Sequence, residues 1–268
     1  MKIIYTSDLH GNIYKFEALK NFILSEKCDL VIIGGDIFEY TPRDINMQID
    51  FAQNYLSVFL KDLNVPICLI KGNTDCSKAF GTLKSVVPEN LKFLNDVPQQ
   101  ISEMFILGFS LVNISPFKIK NYERRDLLHD KVIFTPTLIR TDSGEIEEKP
   151  SDYLDSLPSI EEELVKYKCG TNDIFVCHAP PFGTKLDMVS HKSHVGSRAV
   201  YEFILKKQPL LMLCGHIHES AFYSNSHIDK IGKTICINPG QSERLHICVI
   251  QIEKNKVMDC KIRYVKIC

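Results

Sequence analysis

Two residues near the start of the chain have the spacing of a metal-binding pair. Asp8 and His10 follow the short apolar run 3–5, which predicts a β-strand. Residues two apart on a strand point to the same side, so the Asp8 carboxylate and the His10 imidazole can converge on one ion. Gly11 then allows a sharp turn, and Asn12 is a good helix N-cap. Such residues are more often ordinary loop residues, so a metal site requires more ligands at the same place.

Four later apolar runs also end in Asp, Asn or His. These further candidate ligands are Asp36, Asn73, His178, His216 and His218. Carboxylates, amides and imidazoles suit Mn²⁺, Fe or Zn²⁺. The set of seven is more than one ion with open positions needs, and it suits two ions that share a carboxylate. Glycine precedes three of the five blocks, which fits backbones crowding around a small centre.

The elements that must position these residues alternate between strands and helices. The run 30–33, bounded by glycines, is typical of a strand buried on both faces. Helices are predicted over 13–25 and 44–63, and a third strand over 65–70. Parallel strands joined by helices place their C-terminal loops on one edge of the sheet, where ligands of open α/β sheets bind.

The second half of the chain returns to this alternation after a less regular stretch. Residues 115–160 are predicted to be an irregular insertion with one short hairpin, largely a solvated face, and Ser159 and Glu162 have the spacing of a capping box. No linker or repeat divides the chain, so one domain over 1–268, built on two packed sheets, is expected. The remaining predictions are strands at 91–94, 104–112, 173–177, 210–214, 234–237, 246–252 and 257–267, and a helix near 197–207.

Composition narrows the class of protein. The 268 residues are 44% hydrophobic and 24% charged with a net charge of −1, which is ordinary for a globular protein. Near-neutral charge does not favour nucleic acid or an anionic membrane as partner. No stretch has the length of a membrane span, and the N-terminal apolar run is too short for a signal peptide, so a cytoplasmic location is expected. The ten cysteines lack C-x-x-C spacing and are predicted to be reduced thiols.

The order of the five polar blocks closely resembles the calcineurin-like metallophosphoesterase superfamily. The signature of that family is Asp-x-His, Gly-Asp, Gly-Asn-His-Asp or Glu, a lone His and Gly-His-x-His, and the corresponding blocks lie in this order between residues 8 and 218. The resemblance implies a four-layer α/β/β/α sandwich of two mixed sheets with a dinuclear site at the strand ends. It also implies a first ion held by Asp8, His10 and His218, and a second held by Asn73, His178 and His216. Asp36 would bridge the two ions.

The chemistry implied by such a site is phosphoester hydrolysis. Two divalent ions (Mn, Fe or Zn) roughly 3.5–4 Å apart can acidify a bridging water, polarise a phosphoryl oxygen and orient in-line attack. The expected nucleophile is the metal-bridging hydroxide. Neither Gly-x-Ser-x-Gly nor Gly-x-x-x-x-Gly-Lys occurs in the sequence, so a serine nucleophile or a P-loop is not indicated.

One position departs from the family pattern. Thr74 stands where many members have His, and a threonine hydroxyl cannot protonate a leaving group near pH 7, although it can hydrogen-bond a phosphate oxygen. Esters with stable leaving groups are therefore expected, such as aryl or nucleotidyl phosphodiesters or pyrophosphates. Asp75 is interpreted as a residue that orients a ligand or, alternatively, as a helix N-cap. The predicted catalytic set is Asp36, Thr74, Asp75 and His178, although His178 alone could be a structural histidine before a Pro-Pro turn.

Three further places are candidates for substrate contact or support of the site. Asn238-Pro239-Gly240 ends a strand after the histidine pair, and Tyr40 and Arg43 follow Asp36 closely. The third place is a basic loop that could meet phosphate, could supply the missing proton donor or could equally be a solvated loop. Its residues are Lys185, His191, Lys192 and His194.

The function predicted from the sequence is a metal-dependent phosphodiesterase acting on a small phosphate ester. A phosphomonoesterase and a nucleotide-type pyrophosphatase on the same metal core are the enzymatic alternatives. A metal-binding interaction scaffold that has lost catalysis is the alternative of another class. Nucleic acid and membrane partners are not expected, and the oligomeric state, a homo-oligomer included, stays open.

Overall fold

The computed structural model describes residues 1–41, 44–86, 90–95, 97–101, 103–132 and 136–267. The strands are β1 Lys2–Thr6, β2 Leu30–Ile33, β3 Ile67–Leu69, β4 Leu91–Phe93, β5 Gln99–Ile101, β6 Met104–Phe109, β7 Val112–Asn113, β8 Glu123–Arg124, β9 Thr137–Arg140, β10 Ile146–Lys149, β11 Ile174–Cys177, β12 Leu211–Leu213, β13 Ile228–Ile231, β14 Thr234–Ile237, β15 Leu245–Glu253 and β16 Lys256–Val265. The helices are α1 Ile13–Glu26, α2 Asn46–Phe51, α3 Ser57–Lys61, α4 Ser77–Val86, α5 Ile160–Leu164, α6 Arg198–Lys207 and α7 Ser220–Ser224.

Within the described residues, most strands belong to two six-stranded sheets. The first sheet has the order β16-β15-β1-β2-β3-β4, in which β1 to β4 are parallel and the two C-terminal strands are antiparallel. The second has the order β13-β14-β12-β11-β6-β5, in which the four central strands are parallel and the outer two are antiparallel. Both sheets are therefore mixed, as predicted.

The two sheets pack face to face, and helices cover their outer faces. Alternation along β1 shows how one strand serves two layers. Ile3 and Tyr5 face the core between the sheets, whereas Ile4 faces the core beneath the helices, where it joins Phe16 of α1. On the other outer face, Phe203 of α6 belongs to a third apolar cluster that covers the second sheet. This arrangement confirms the four-layer α/β/β/α sandwich implied by the family resemblance.

The long helix predicted over 44–63 is present but contains an irregular turn. It begins at Asn46 and ends at Lys61, and a π-helical turn over Ala52–Leu56 joins α2 to α3. The apolar stripe that predicted the helix still faces inward, since Ala52 and Leu56 are fully buried. The wider turn therefore leaves the buried stripe in place.

Several short elements were not predicted. Helix α4 was not predicted, and its buried residues are only Ala79, Phe80 and Leu83. β5, β13 and α7 were also missed, and the predicted strand 104–112 is interrupted after Phe109 before the short β7. Elements of three to ten residues with few apolar side chains are stabilised by tertiary packing more than by local pattern, which explains these errors.

The described residues of the segment 115–160 form only short elements. It contains the hairpin β9–β10, whose turn passes through Asp142-Ser143-Gly144, and the acidic run 145–148 is largely exposed. Arg140 fastens the hairpin to the body of the protein, since its Nη2 donates to the Thr41 carbonyl at 2.5 Å. The capping box that starts α5 is present, with both hydrogen bonds between Ser159 and Glu162 formed.

Two predictions about the whole chain can be compared with the described residues. Every cysteine among them is a free thiol, as expected, while Cys268 lies outside the described part. In the same residues, no helix combines the length and the apolar character needed to cross a membrane.

Candidate metal centre

The five polar blocks follow strands that run in parallel to one edge of the molecule. β1, β2 and β3 are neighbours in the first sheet and lead to Asp8, Asp36 and Asn73, respectively. β11 and β12 are neighbours in the second sheet and lead to His178 and His216. Because the sheets pack against each other, these C-terminal ends meet at one place.

The predicted ligands form two clusters. In each cluster, the potential ligand atoms all lie within 4.8 Å of one another. The first consists of Asp8, His10 and His218, and the second of Asp36, His178 and His216. The first cluster has the members of the first implied ligand set. The second contains His178 and His216 of the second set together with Asp36, the implied bridging residue.

One oxygen of Asp36 faces both clusters. Its Oδ2 lies 3.4 Å from His178 Nε2 and 3.8 Å from His10 Nε2. Its Oδ1 is occupied, since it accepts hydrogen bonds from the Thr74 backbone N–H at 2.9 Å and from the Thr74 hydroxyl at 2.8 Å. The protein thus fixes one oxygen of the carboxylate and leaves the other between the two groups of histidines.

Asp8 is held in a comparable way. Its Oδ1 lies 3.3 Å from His218 Nε2 and 4.0 Å from His178 Nε2. The Ser7 hydroxyl donates to its Oδ2, and the His216 backbone N–H lies 3.1 Å and 3.2 Å from the two oxygens. These donors fix the orientation of the carboxylate without using the histidine side chains.

Two buried atoms at this place lack the hydrogen bonds that buried polar atoms normally make. Asn73 Oδ1 and His178 Nε2 have no hydrogen-bond partner among the described residues. The other ring nitrogen of His178, Nδ1, bonds to the Gly34 carbonyl at 2.8 Å, which directs Nε2 inward. Unpaired acceptor atoms beside two carboxylates are what a divalent cation requires, so the residues present fit a metal centre.

The backbone around the clusters is crowded and strained. A Cβ on Gly72 would overlap the Asp36 carboxylate, and one on Gly215 would overlap Asp8. Four of the predicted ligands have backbone φ angles in the left-handed region. This conformation costs energy for residues other than glycine. The four ligands are Asp8 (φ 57°), His10 (φ 46°), Asp36 (φ 49°) and His216 (φ 66°).

The two carboxylates dominate the electrostatics of the site. Burial acts to raise the pKa of Asp8, but His218 and His178 together outweigh it and lower the pKa to about 2. Asp36 follows the same pattern, and its pKa is held well below the usual value by His178. Burial acts to lower the pKa of His178, but the carboxylates of Asp36 and Asp8 and the Gly34 carbonyl together outweigh it and raise the pKa to about 9. Opposite charges on these neighbouring groups therefore stabilise each other.

Asp75 holds two of the strand-end loops together. Its carboxylate accepts hydrogen bonds from the backbone N–H groups of Gly72 at 2.8 Å and of Ile37 and Phe38 at 2.9 Å each. These contacts agree with the interpretation of Asp75 as an orienting residue, and they differ from the alternative of a helix N-cap. Burial, together with the charge of Asp36, raises the pKa of Asp75 to about 7.

The predicted supporting segment 238–240 lies directly against the histidine loop. Asn238 Nδ2 donates to the carbonyls of Gly215 at 3.3 Å and Ile217 at 3.1 Å. The next residue after the segment, Gln241, donates its backbone N–H to the His218 carbonyl at 3.1 Å. The loop that carries both histidines is therefore anchored on either side.

A cavity of about 660 Å³ opens in front of the two clusters. Tyr40 borders it, as predicted, whereas Arg43 lies outside the described residues. The lining residues are His10, Asp36, Tyr40, Thr74, Asn113, Ile114, Ser115, Pro116, Phe117, Val189, Ser190, Val195, His216, Ile217, His218 and Glu219.

The basic loop contributes to this cavity in a different way from the one expected. Its cavity-lining residues are Val189, Ser190 and Val195, and none of the four predicted basic or histidine side chains lines the described wall. His194 Nδ1 instead lies 2.8 Å from Asp187 Oδ1. The prediction of phosphate contact by Lys185, His191, Lys192 or His194 is therefore not supported by their positions.

Some site residues were not identified from the sequence. Ser7 could have been identified, because it directly precedes Asp8 and the serine hydroxyl can donate a hydrogen bond to a carboxylate. Phe117 and Glu219 had no such signal, since the former lies in the irregular insertion and the latter just beyond the final histidine.

Comparison with known proteins identifies the family. Residues 1–220 match the family model described as calcineurin-like phosphoesterase. No curated protein matches the chain significantly. Similar solved structures include TT1561 of Thermus thermophilus, with 15% identity over 99% of both chains and a TM-score of 0.59. Another is a putative 5'-nucleotidase from Staphylococcus aureus in complex with alpha-ketoglutarate, with 13% identity over 99% of this chain and 54% of that chain and a TM-score of 0.54.

These structural likenesses show the fold, while the family match extends over the residues that form the site. The matched region begins before Asp8 and ends after His218, so it contains all five polar blocks. The structure brings those blocks together around two candidate ligand clusters. The chain belongs to the calcineurin-like phosphoesterase family and is a metal-dependent phosphoric ester hydrolase.

Proposed function

We propose that the protein is a phosphodiesterase that works with two divalent cations at this site. The observation that carries the proposal is the position of Asp36 Oδ2, within 3.8 Å of a histidine nitrogen from each cluster. One cation would be held by Asp8, His10 and His218, and the other by Asn73, His178 and His216, with Asp36 shared. Manganese is the first cation to try, because the ligand set mixes oxygen and imidazole nitrogen.

The residues of the chain orient the components of the reaction. When bound, the cations supply positive charge for the phosphoryl oxygens and a water molecule that ionises near neutral pH. Thr74 fixes the Asp36 carboxylate, and Asp75 fixes the two loops that carry Asp36 and Asn73. Because these groups are already in place, fewer of them must move when the transition state forms. No side chain is assigned as the nucleophile.

The cavity supports a diester as substrate rather than a monoester. Its volume of about 660 Å³ leaves room for an organic group on both sides of the phosphorus atom.

The position of Thr74 limits the leaving groups. A threonine hydroxyl can hydrogen-bond a phosphate oxygen, but the Thr74 hydroxyl donates to Asp36 Oδ1 instead. A threonine hydroxyl is in any case too weak an acid to protonate a departing alkoxide near pH 7. We therefore expect the enzyme to favour esters whose leaving group is stable as an anion, such as aryl esters.

Hydrolysis of bis-p-nitrophenyl phosphate tests the proposal. We expect turnover with Mn²⁺, loss of turnover on addition of a chelator and recovery on return of the metal. The Asp36→Asn variant should lose activity by at least about 10²-fold, because it weakens the residue shared by both cations. Absence of turnover with every divalent metal would favour a non-catalytic scaffold. Faster hydrolysis of p-nitrophenyl phosphate than of the diester would favour a phosphomonoesterase.

A further inference from the structure

Two aromatic side chains lie together on the wall of the cavity in front of the two candidate ligand clusters. Tyr40 and Phe117 have ring centroids 5.5 Å apart at an angle of 57°. Both line the cavity that also contains His10 and Asp36. Phe117 remains 46% exposed, although large apolar side chains are normally more buried than this. The two rings come from separate segments, one following Asp36 and the other in the insertion.

The segment that leads to Phe117 is fixed by a fully buried ion pair. Lys120 Nζ lies 2.7 Å from Glu123 Oε2, and both side chains are inaccessible to solvent. Glu123 accepts hydrogen bonds from the backbone N–H of Ser115 at 2.7 Å and from its hydroxyl at 2.6 Å. Lys120 donates to the Ser115 carbonyl at 2.6 Å, and the Phe117 N–H donates to the Ser115 hydroxyl at 3.2 Å.

This network gives the exposed ring a defined position. A buried ion pair is favourable only when further hydrogen bonds satisfy its remaining polar atoms, and here Ser115 supplies several of them. The backbone N–H and the carbonyl of Ser115, two residues before Phe117, are therefore both hydrogen-bonded. An exposed ring on a rigid segment loses little conformational freedom when a ligand packs against it.

The remainder of the cavity is consistent with an organic ligand. Ile114 and Pro116 flank the aromatic wall, and Val189, Val195 and Ile217 also line the cavity. The same lining includes His10, Asp36, His216 and His218 of the candidate ligand clusters, so the apolar side chains stand in the cavity where a phosphorus atom would bind. Aromatic rings stack favourably on such surfaces.

We propose, on the basis of the phosphodiesterase function above, that Tyr40 and Phe117 form a subsite for an aromatic ring of the substrate. The substrate class is a phosphodiester with one substituent that carries a ring of the size of a phenyl group or a nucleobase. Stacking of a base on an aromatic side chain contributes enough to change affinity by about tenfold or more. The subsite therefore determines which diesters bind well.

A set of diesters that share one leaving group tests this subsite. The substrates are p-nitrophenyl phosphodiesters whose second substituent is methyl, phenyl or thymidine-5'-yl, so the bond that breaks is the same in each. For the wild type we expect a higher kcat/KM for the two ring-containing esters than for the methyl ester. Phe117→Ala should reduce that preference by about tenfold, mainly through KM.

Matched variants separate the subsite from general effects of mutation. Phe105→Ala removes a phenylalanine that is 42% exposed on β6 and does not line the cavity, so it should leave the preference unchanged. Tyr40→Phe keeps the ring and should resemble the wild type, whereas Tyr40→Ala should lose preference as Phe117→Ala does. If Phe117→Ala fails to fold, as judged by circular dichroism, Phe117→Leu and Tyr40→Ala decide the question.

The outcomes distinguish this inference from the proposed function. Equal kcat/KM for all three diesters in the wild type would overturn the aromatic subsite and leave the phosphodiesterase intact. An unchanged preference in folded Tyr40→Ala and in folded Phe117→Ala, or Phe117→Leu in its place, would do the same. Failure of the wild type to hydrolyse any of the diesters with any divalent metal would overturn the proposed function itself.

Discussion

Thr74 donates two hydrogen bonds to one oxygen of Asp36, from its backbone N–H and from its hydroxyl. The residue occupies the place where many family members have a histidine. At the scale of single residues, this exchange replaces a group that could deliver a proton by one that fixes a candidate metal ligand. Its consequence is a reaction that depends on the intrinsic stability of the leaving group.

The dependence on the leaving group predicts the effect of Thr74→His. General acid catalysis contributes on the order of 10²-fold or more, chiefly for poor leaving groups, so the variant should gain for alkyl esters relative to aryl esters. Its absolute rate for aryl esters should fall, because the hydroxyl that holds Asp36 is lost. The measurement is the slope of log kcat/KM against the pKa of the leaving group, which should become shallower.

Thr74→Ser is the control for that experiment, since it keeps the hydroxyl and should keep the steep slope of the wild type. An unchanged slope in Thr74→His, with the variant folded and binding metal, would contradict the assignment of Thr74 as the position of a missing proton donor.

The ligand residues could be predicted from the sequence, but the cavity residues mostly could not. Asp8 and His10 share a spacing that strand geometry converts into proximity, and glycines marked three of the other blocks. Tyr40 could be placed because it follows Asp36 closely. Phe117 depends on an ion pair within an irregular segment, and His194 contacts Asp187, so no local pattern indicated where either side chain lies.

Among the elements, the start of α5 shows how a predicted local motif contributes to stability. Glu162 accepts a hydrogen bond from the Ser159 backbone N–H at 2.8 Å, and Arg125 Nη2 lies 3.0 Å from the same oxygen. These contacts, the backbone one foremost, lower the pKa of Glu162 to about 2. This pKa is lower in the folded protein than in the unfolded chain, where it is roughly 4.3. The ionised carboxylate therefore stabilises the folded state at pH values above about 4.3. The contribution is lost as the pH falls toward the folded pKa.

Glu162→Gln tests this contribution, because glutamine retains a capping box but removes the charge. At pH 7 we expect the variant to melt about 1–2 °C below the wild type. The difference should shrink as the pH falls from about 5 to about 3. Thermal unfolding followed by circular dichroism measures this difference.

Glu163→Gln is the control in the same turn, since that carboxylate pairs with the exposed Lys166 and should show little difference at either end of this pH range. A constant deficit for Glu162→Gln across this range would show that the charge is not responsible.

The accuracy of the element predictions followed the strength of the apolar pattern. β2 and β11 are continuous apolar runs with fully buried side chains, and both were predicted within one residue. The helix 44–63 was found because its stripe is long, but nothing in the stripe revealed the π-helical turn over Ala52–Leu56. Short α4 and the outer strands β5 and β13 have no long apolar run, so their local pattern did not reveal them.

At the scale of the whole molecule, the site exists because two sheets present their strand ends to each other. The Tyr5 hydroxyl donates to the Cys214 carbonyl at 2.8 Å, which connects the first sheet to the end of β12. The His216 N–H contact with Asp8 makes a second connection. Periodicity predicted the main strands and two packed sheets, and the family resemblance supplied the mixed character of those sheets. The order of the strands, such as β6 beside β11, follows only from tertiary packing.

The central claim is that the two clusters on either side of Asp36 each bind a divalent cation. The most direct test is anomalous diffraction from crystals of the protein grown with Mn²⁺, measured at the manganese absorption edge. We predict two anomalous peaks, one within coordination distance of Asp8, His10 and His218, and the other of Asn73, His178 and His216, with Asp36 between them. A single peak, or peaks remote from Asp36, would contradict the account.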